Sequence, residues 1–330
     1  MQKLNYEGLK NFVSGTQQKK AIITFHSIGD RDSVASAFAI SLIFKNSKIV
    51  SPDFITSNSS SMLKKLGYPA EISTEFDDSA DLVILLDAND FAECGPFANK
   101  LKAFNNEILI VDHHSPKVVG NDNVYCFNDE SYNSATSIIY NLLRDFSIPI
   151  DVKLAKLIAM GIISDSAEFK NSTADTFLQI GSLLKEAGTD YTSLLTEFEQ
   201  ISDVRERAKT ISEMFNSTVI IKNKVLFVFG RTETHSNIAA ENAVKIGADI
   251  ALFHSISKKE ISFAARMRPG LDKTLGIDLG SIMKSIAPAI SGTGGGHPCA
   301  AGAYGPLQFK KDEFINNFIS KVLSRIENLT

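Results

Sequence analysis

Short runs of β-prone apolar residues alternate with helix-length segments through the first half of the chain. AIITF (21–25), KIVSPDFI (48–55), DLVILLD (81–87) and EILIVD (107–112) read as strands, and 33–45 and a stretch near 60–66 read as helices between them. That rhythm predicts βαβ units and a mostly parallel sheet. The runs are continuously apolar, as strands are when helices cover both faces. From 134 to about 215 the periodicity is helical, with Gly188 as a stop and Asp190 as a new N-cap. A second α/β pattern follows: STVIIKN, KVLFVFGR, ADIALFHSI and EISFAARMR as strands, helices near 238–246, 277–286 and 311–327, and a glycine-rich turn before the last. The expected fold is α/β. An N-terminal, mostly parallel sheet with helices on both faces occupies 1–190, a helical linker 191–215, and a smaller C-terminal α/β domain 216–330, the two lobes facing each other across a hinge.

With 330 residues, 44% of them hydrophobic, the chain can bury more than one core. Its 34 basic and 38 acidic residues leave a net charge of −4, so there is no overall basic field and any polyanion must be gripped locally. The three cysteines, Cys94, Cys126 and Cys299, have no C-x-x-C spacing, which argues against a disulfide framework or a structural zinc site and fits a reducing compartment. The N-terminus lacks the apolar core of a signal peptide, and no apolar run approaches the ~20 residues that span a bilayer. A soluble, cytoplasmic protein with no membrane partner is expected.

Candidate chemistry gathers where the strands run out. After AIITF come His26, Asp30 and Asp32, beside a helix N-terminus that favours negative charge. An isolated D-x-D also arises when one acid caps a helix and the other sits in a turn. DLVILLD ends on Asp87, which alone reads as a first turn residue. EILIVD runs into Asp112, His113 and His114, using two of the six histidines. Neighbours on an extended chain point to opposite sides, so the two histidines divide their work between metal and substrate; a chance pair in a surface loop is the plainer alternative. The helix VKLAKLIAMGIISD finishes on Asp165, where an unpaired carboxylate opposes the helix dipole unless a cation sits there. Imidazoles with hard carboxylates suit Mn²⁺, Mg²⁺ or Fe²⁺, and this many ligands suits a pair of ions for hydrolytic phosphoryl transfer.

The ordered set H-x-x-x-D-x-D, a strand-ending Asp, D-H-H and a helix-ending Asp resembles the DHH phosphoesterase superfamily. Its members include RecJ-like exonucleases, nanoRNase/pAp phosphatases, cyclic-dinucleotide phosphodiesterases and family II inorganic pyrophosphatases. S-G-T-G-G-G-H-P-C-A-A-G-A at 291–303 is similar to the G-G-G-H-x-x-A-A-G signature of the DHH-associated C-terminal domain in the nuclease and nanoRNase branches. The resemblance covers nearly the whole chain. It implies that His26, Asp30 and Asp87 hold one ion and that Asp32, Asp87, His113 and Asp165 hold a second, with Asp87 bridging. Mn²⁺ is the implied metal, two ions, with Mg²⁺ or another divalent ion as substitute. His114 would face the scissile phosphate and Asp112 would support it. In the C-terminal lobe, Gly294, Gly295 and Gly296 would let backbone N–H groups approach an anion, with His297 adding a donor at the start of a helix. Arg266 would contact phosphate, for which its planar fork is suited; Arg268 reads as a second contact, and a solvated strand-end charge is the plainer alternative for either.

Two departures stand out. Relatives often read H-x-x-P-D-G-D-A, whereas here H-S-I-G-D-R-D-S puts Arg31 between the acids, where it could salt-bridge, contact phosphate or point outward. After Asp165, Ala167 replaces a glycine frequent in relatives. The expected function is hydrolysis of short oligonucleotides in the manner of a nanoRNase, with pAp as a further substrate. The expected partners are short single-stranded RNA or DNA or mononucleotide phosphates, with a homodimer left open. RecJ-like single-strand exonuclease and cyclic-dinucleotide phosphodiesterase are the alternatives. Pyrophosphatase is disfavoured by the G-G-G-H segment, and a ligand-depleted, non-enzymatic scaffold by the full set of acids and histidines.

Overall fold

Strands that are apolar on both sides are stable only with cover on both faces, and the N-terminal sheet has it. A computed structural model describes residues 1–115, 122–166, 169, 172–199, 204–233, 235–257, 260–306 and 311–327. The chain separates into two compact units, Met1–Gln200 and Ile201–Thr330.

The first unit runs β1 (Gln2–Lys3), α1 (Tyr6–Thr16), β2 (Ala21–Phe25), α2 (Arg31–Ile40), β3 (Ser47–Ile49), α3 (Ser57–Leu66) and β4 (Leu82–Leu86). It continues with α4 (Ala98–Ala103), β5 (Glu107–Asp112), β6 (Val124–Asn128), α5 (Ala135–Asp145), α6 (Val152–Asp165), α7 (Ala174–Ala187) and α8 (Tyr191–Phe198). Its six strands form one sheet in the order β1-β6-β5-β4-β2-β3, every pairing parallel. Alternate residues feed two separate cores: Ile23, Phe25, Ile84, Leu86, Leu109 and Val111 on one face, and Ile22, Val83, Leu85, Ile108 and Ile110 on the other. Each such side chain contributes about 1.5–3 kcal/mol on burial. The strand order reverses between β2 and β4, which opens a crevice at their carboxyl ends.

Register places the chemistry at that crevice. Phe25, Leu86, Val111 and Phe127 lie side by side across four strands. The next residue on each is His26, Asp87, Asp112 or Asn128, so all four emerge along one carboxyl edge.

The second unit runs α9 (Val204–Phe215), β7 (Thr218–Lys222), β8 (Val225–Thr232), α10 (Ser236–Lys245), β9 (Ile250–Ile256) and β10 (Glu260–Met267). It ends with α11 (Leu271–Leu275), α12 (Leu279–Ile286), β11 (Thr293–His297), β12 (Ala300–Pro306) and α13 (Lys311–Glu327). Its sheet has the order β11-β12-β10-β9-β8-β7, antiparallel except for β8 beside β9. Phe263, Ala265, Ala301 and Ala303 pack with Met283 of α12 and Phe314 and Phe318 of α13, while Ala251, Phe253 and Ala264 pack under the alanines of α10.

Three expectations change. The strand expected over 48–55 is only Ser47–Ile49, followed by a single bridge from Val50 to Ser73, because Pro52 has no N–H to continue a ladder. Val124–Asn128 is a strand that the pattern did not announce. The glycine-rich segment is a strand, β11, hairpinned onto β12, and neither a turn nor a helix start.

Candidate metal centre

The loop after β2 is shaped around His26. Gly29 has φ +54° and lies so close to Phe54 O and Ile55 that a Cβ would fall 2.7–2.8 Å from them. Asp30 caps α2 with Oδ1, accepting from Ser33 N at 3.0 Å, which leaves Oδ2 turned to His26 Nε2 at 3.5 Å. Burial pushes the pKa of the Asp30 carboxyl up and that of the His26 imidazole down, but their pairing outweighs it. Asp30 is held at about 2 and His26, facing Asp30 and Asp87, is raised to about 10.

Asp32 is fully buried and does not cap its own helix. Its carboxylate accepts from the first N–H groups of α5, Ala135 N at 2.7 Å and Thr136 N at 2.9 Å, while Thr136 Oγ1 donates to its carbonyl. Even so, burial and the nearby Asp87 and Asp165 push its pKa well up. Asp165, at the end of α6, is raised for the same reason, although His113 opposes the shift. Carboxylates crowded in this way are poorly stable as anions without a counter-cation.

Asp87 sits at φ +56°, a left-handed conformation uncommon for a residue other than glycine. The twist presents its two oxygens to different partners: Oδ2 lies 3.3 Å from His26 Nε2, and Oδ1 lies 3.4 Å from His113 Nε2. His113 Nε2 also stands 3.1 Å from Asp165 and 3.9 Å from Asp32. Burial lowers the pKa of His113, but the surrounding Asp165, Asp87 and Asp32 raise it to about 11. The ligand atoms fall into one set of His26, Asp30 and Asp87 and another of Asp32, His113 and Asp165, each with its atoms within 4.8 Å of one another. Among the described residues, Asp87 Oδ1 and His113 Nε2 are buried and not aligned for any hydrogen bond. A buried carboxylate oxygen and a buried imidazole nitrogen left unsatisfied among crowded carboxylates fit divalent cations, Mn²⁺ or Mg²⁺, with Asp87 between the two sets.

A third grouping joins Asp112 and His114 to Asp87 and His113. Here Asp112 already accepts from Asn89, from Asn128 Nδ2 at 3.1 Å and from His114 Nδ1 at 2.9 Å, so it is committed to hydrogen bonds. Burial raises its pKa, but the bond and charge of His114 and the His113 backbone N–H hold it below the usual range. The same bond to Asp112 raises His114. Strand alternation does not separate the two histidines as expected. β5 ends at Asp112, and the imidazoles lie only 4.2 Å apart between centroids, tilted by 44°. What divides them is depth: the His113 side chain is 10% exposed and that of His114 57%. Among the sequence candidates, the six acids and histidines of the two sets come together, with Asp112 and His114 beside them. Asn89 and Asn128 carry no sequence signal beyond a turn position after β4 and the last position of β6.

Arg31 points neither outward nor to an anion; its Nη2 donates to Phe198 O at the end of α8, 3.0 Å away. Ala167 lies outside the described residues.

In the second unit, the three glycines part company. Cβ atoms on Gly294 and Gly296 would lie 2.7 Å from Met283 O and 2.5 Å from Ala300 O, so these two permit tight backbone packing. Gly295 faces open space on the opposite side of the strand. Across β11, β12 and β10, Gly295 pairs with Gly302, and His297 with Ala300 and Arg266. Paired residues share a face, so Gly295, Gly302 and Ala300 make a bare floor in register with Arg266 and His297. Arg268 instead pairs with Asp249 at 2.8 Å, a strand-end ion pair.

The model of the DHH family N-terminal domain matches residues 20–162 and that of the DHHA1 domain residues 220–327. An uncharacterized protein of Methanocaldococcus jannaschii is 26% identical over 322 residues, 95% of this chain and 93% of that protein. The crystal structure of an exopolyphosphatase-related protein from Bacteroides fragilis superposes with a TM-score of 0.77 at 16% identity, covering 98% of this chain and 97% of that one. RecJ from Thermus thermophilus, in complex with Mn²⁺, superposes at 0.52 and 13% identity over 98% of this chain and 55% of its own. With both domain models matched in order and the acids and histidines of the motifs gathered at one sheet edge, the chain belongs to the DHH phosphoesterase superfamily.

Proposed function

We propose that the protein is a two-metal phosphoesterase that hydrolyses short oligonucleotides, with pAp as a further substrate. The observation that carries this reading is Asp87, whose two oxygens face two separate ligand sets from one left-handed backbone position. His26, Asp30 and Asp87 would hold one divalent ion, and Asp32, Asp87, His113 and Asp165 the other. When bound, such ions supply a water of lowered pKa and positive charge for the phosphoryl oxygens.

The protein's own groups do the rest. Asp112 accepts from His114 Nδ1, so Nε2 is the edge of the exposed imidazole left for a phosphoryl oxygen. Its raised pKa favours the protonated, donating form. In the second unit, Arg266 and His297 beside the floor of Gly295 and Gly302 suit a terminal phosphate or nucleotide. A net charge of −4 favours substrates that need few backbone contacts.

The test is a panel of labelled RNA and DNA from two to roughly two dozen nucleotides, together with pAp, cyclic dinucleotides and pyrophosphate, each with Mn²⁺. Turnover fastest on the shortest oligonucleotides is expected. Preference for long strands would favour a RecJ-like activity instead, and no Mn²⁺-dependent turnover of any phosphate ester would reject the enzyme reading.

A further inference from the structure

We propose that Asn89 and Asn128 are positioning residues that fix the orientation of His114 through Asp112; the catalytic consequence rests on the phosphoesterase reading above. β5 lies between β4 and β6, and Asp112, its last residue, receives one amide from each side. Asn128 ends β6 and is paired directly with Asp112. Asn89 follows Asp87 by two residues beyond the end of β4 and is buried. Both Nδ2 groups donate to the same oxygen, Asp112 Oδ2, with Asn128 at 3.1 Å. Oδ1 is thereby left to accept from His114 Nδ1 at 2.9 Å. Asn89 Nδ2 also donates to Ser115 O at 3.2 Å, so one amide ties the carboxylate to the backbone on the far side of both histidines.

The chemistry of the amide matters here. A buried Lys or Arg at either position would neutralise Asp112, whereas a neutral donor satisfies Oδ2 and leaves the full negative charge facing the imidazole. An apolar side chain would leave Oδ2 short of a donor at a buried site, a penalty that rotation of the carboxylate would relieve. Such rotation would release His114 Nδ1, and the ring with it. Asn89 and Asn128 lie in neither ligand set, so their loss should spare metal binding.

Asn89→Ala, Asn128→Ala and the isosteric Asn89→Asp, which replaces the donor by an acceptor and guards against a simple packing defect, test this. With the Mg²⁺-loaded protein, the Nδ1 proton of His114, assigned by its absence in His114→Ala, is expected as a hydrogen-bonded, downfield NMR resonance in the wild type. It should broaden or vanish in the three variants. With Mn²⁺ and a dinucleotide or bis(p-nitrophenyl) phosphate, kcat should fall about 10–100-fold while bound Mn²⁺ stays at the wild-type level. In a His114→Ala background the same substitutions should cost nothing further, because they act through that ring. Additive losses in that background, or an unchanged His114 resonance in the variants, would overturn the proposal. If the wild type turns over no phosphate ester, the phosphoesterase reading fails, while the resonance still decides whether the two amides position His114.

Discussion

Gly161 lies buried in α6, where that helix crosses α2 and α5, one turn before Asp165. A Cβ there would stand 2.6 Å from Thr136 Oγ1 and 2.8 Å from Ala35 Cβ, against an ordinary contact distance of 3.4 Å or more. Gly161→Ala must therefore push the helices apart by about 0.8 Å, or break the bond that Thr136 Oγ1 makes to the Asp32 carbonyl. Two opposed effects set the stability. Overpacking costs about 1–3 kcal/mol, and alanine in a helix interior returns about 1 kcal/mol relative to glycine, so the net loss is roughly 0–2 kcal/mol. The site feels more than the fold does. α6 carries Asp165 and the α2–α5 contact carries Asp32, so both oxygens near His113 shift together. A misplacement near 1 Å can cost on the order of 10²-fold in rate. Urea unfolding gives the stability change, elemental analysis after gel filtration the bound Mn²⁺, and dinucleotide hydrolysis the turnover. A fully folded variant with wild-type turnover and metal content would refute the claim that this close approach sets the spacing of Asp32 and Asp165.

Asp87→Asn should reduce turnover to background with the melting temperature changed by only a few degrees, since relief of carboxylate crowding offsets the lost contacts; wild-type rates in the variant would contradict a bridging role. Gly294→Ala, whose Cβ would meet Met283 O at 2.7 Å, should destabilise the second unit by about 1–3 kcal/mol in a denaturant melt. Gly295→Ala should leave the melt unchanged and raise KM, as should His297→Ala with metal content intact; an unchanged KM in both would exclude this face of the second unit from substrate binding. Metal uptake should release protons. His26 and His113 are raised by their carboxylate neighbours to about 10 and about 11, so without metal they hold protons at neutral pH that must leave before they can ligate. Apparent Mn²⁺ affinity should then rise with pH, and calorimetry in buffers of different ionisation enthalpy showing no proton release would exclude these two histidines as ligands.

The acids and histidines were legible because they gather where an apolar strand or helix runs out or, for Asp30 and Asp32, where the next helix begins. The amides were not. Asn89 and Asn128 resemble ordinary turn and strand-end residues until the pairing of β6 with β5 and the placing of β4 on the other side bring both to one carboxylate oxygen. Arg31 was undecidable for a similar reason, because its partner, Phe198 O, lies 167 residues away in sequence. The glycine run misled in kind. Gly294, Gly295 and Gly296 read as one flexible, anion-cradling turn, yet strand alternation gives two of them to tight packing and one to open space.

Local physics determined much of this protein from its sequence alone: continuous apolar runs demand a sheet covered on both faces, helix periodicity supplies the cover, and charges that end such runs must lie at the sheet's carboxyl edge. What only the tertiary structure decided is which of those charges meet. Register set His26, Asp87, Asp112 and Asn128 level with one another, burial rather than alternation separated His113 from His114, and the left-handed turn at Asp87 aimed one carboxylate at two partners. These outcomes depend on contacts between segments distant in sequence, where an ångström of helix or strand offset changes the partner, and no local pattern encodes that distance.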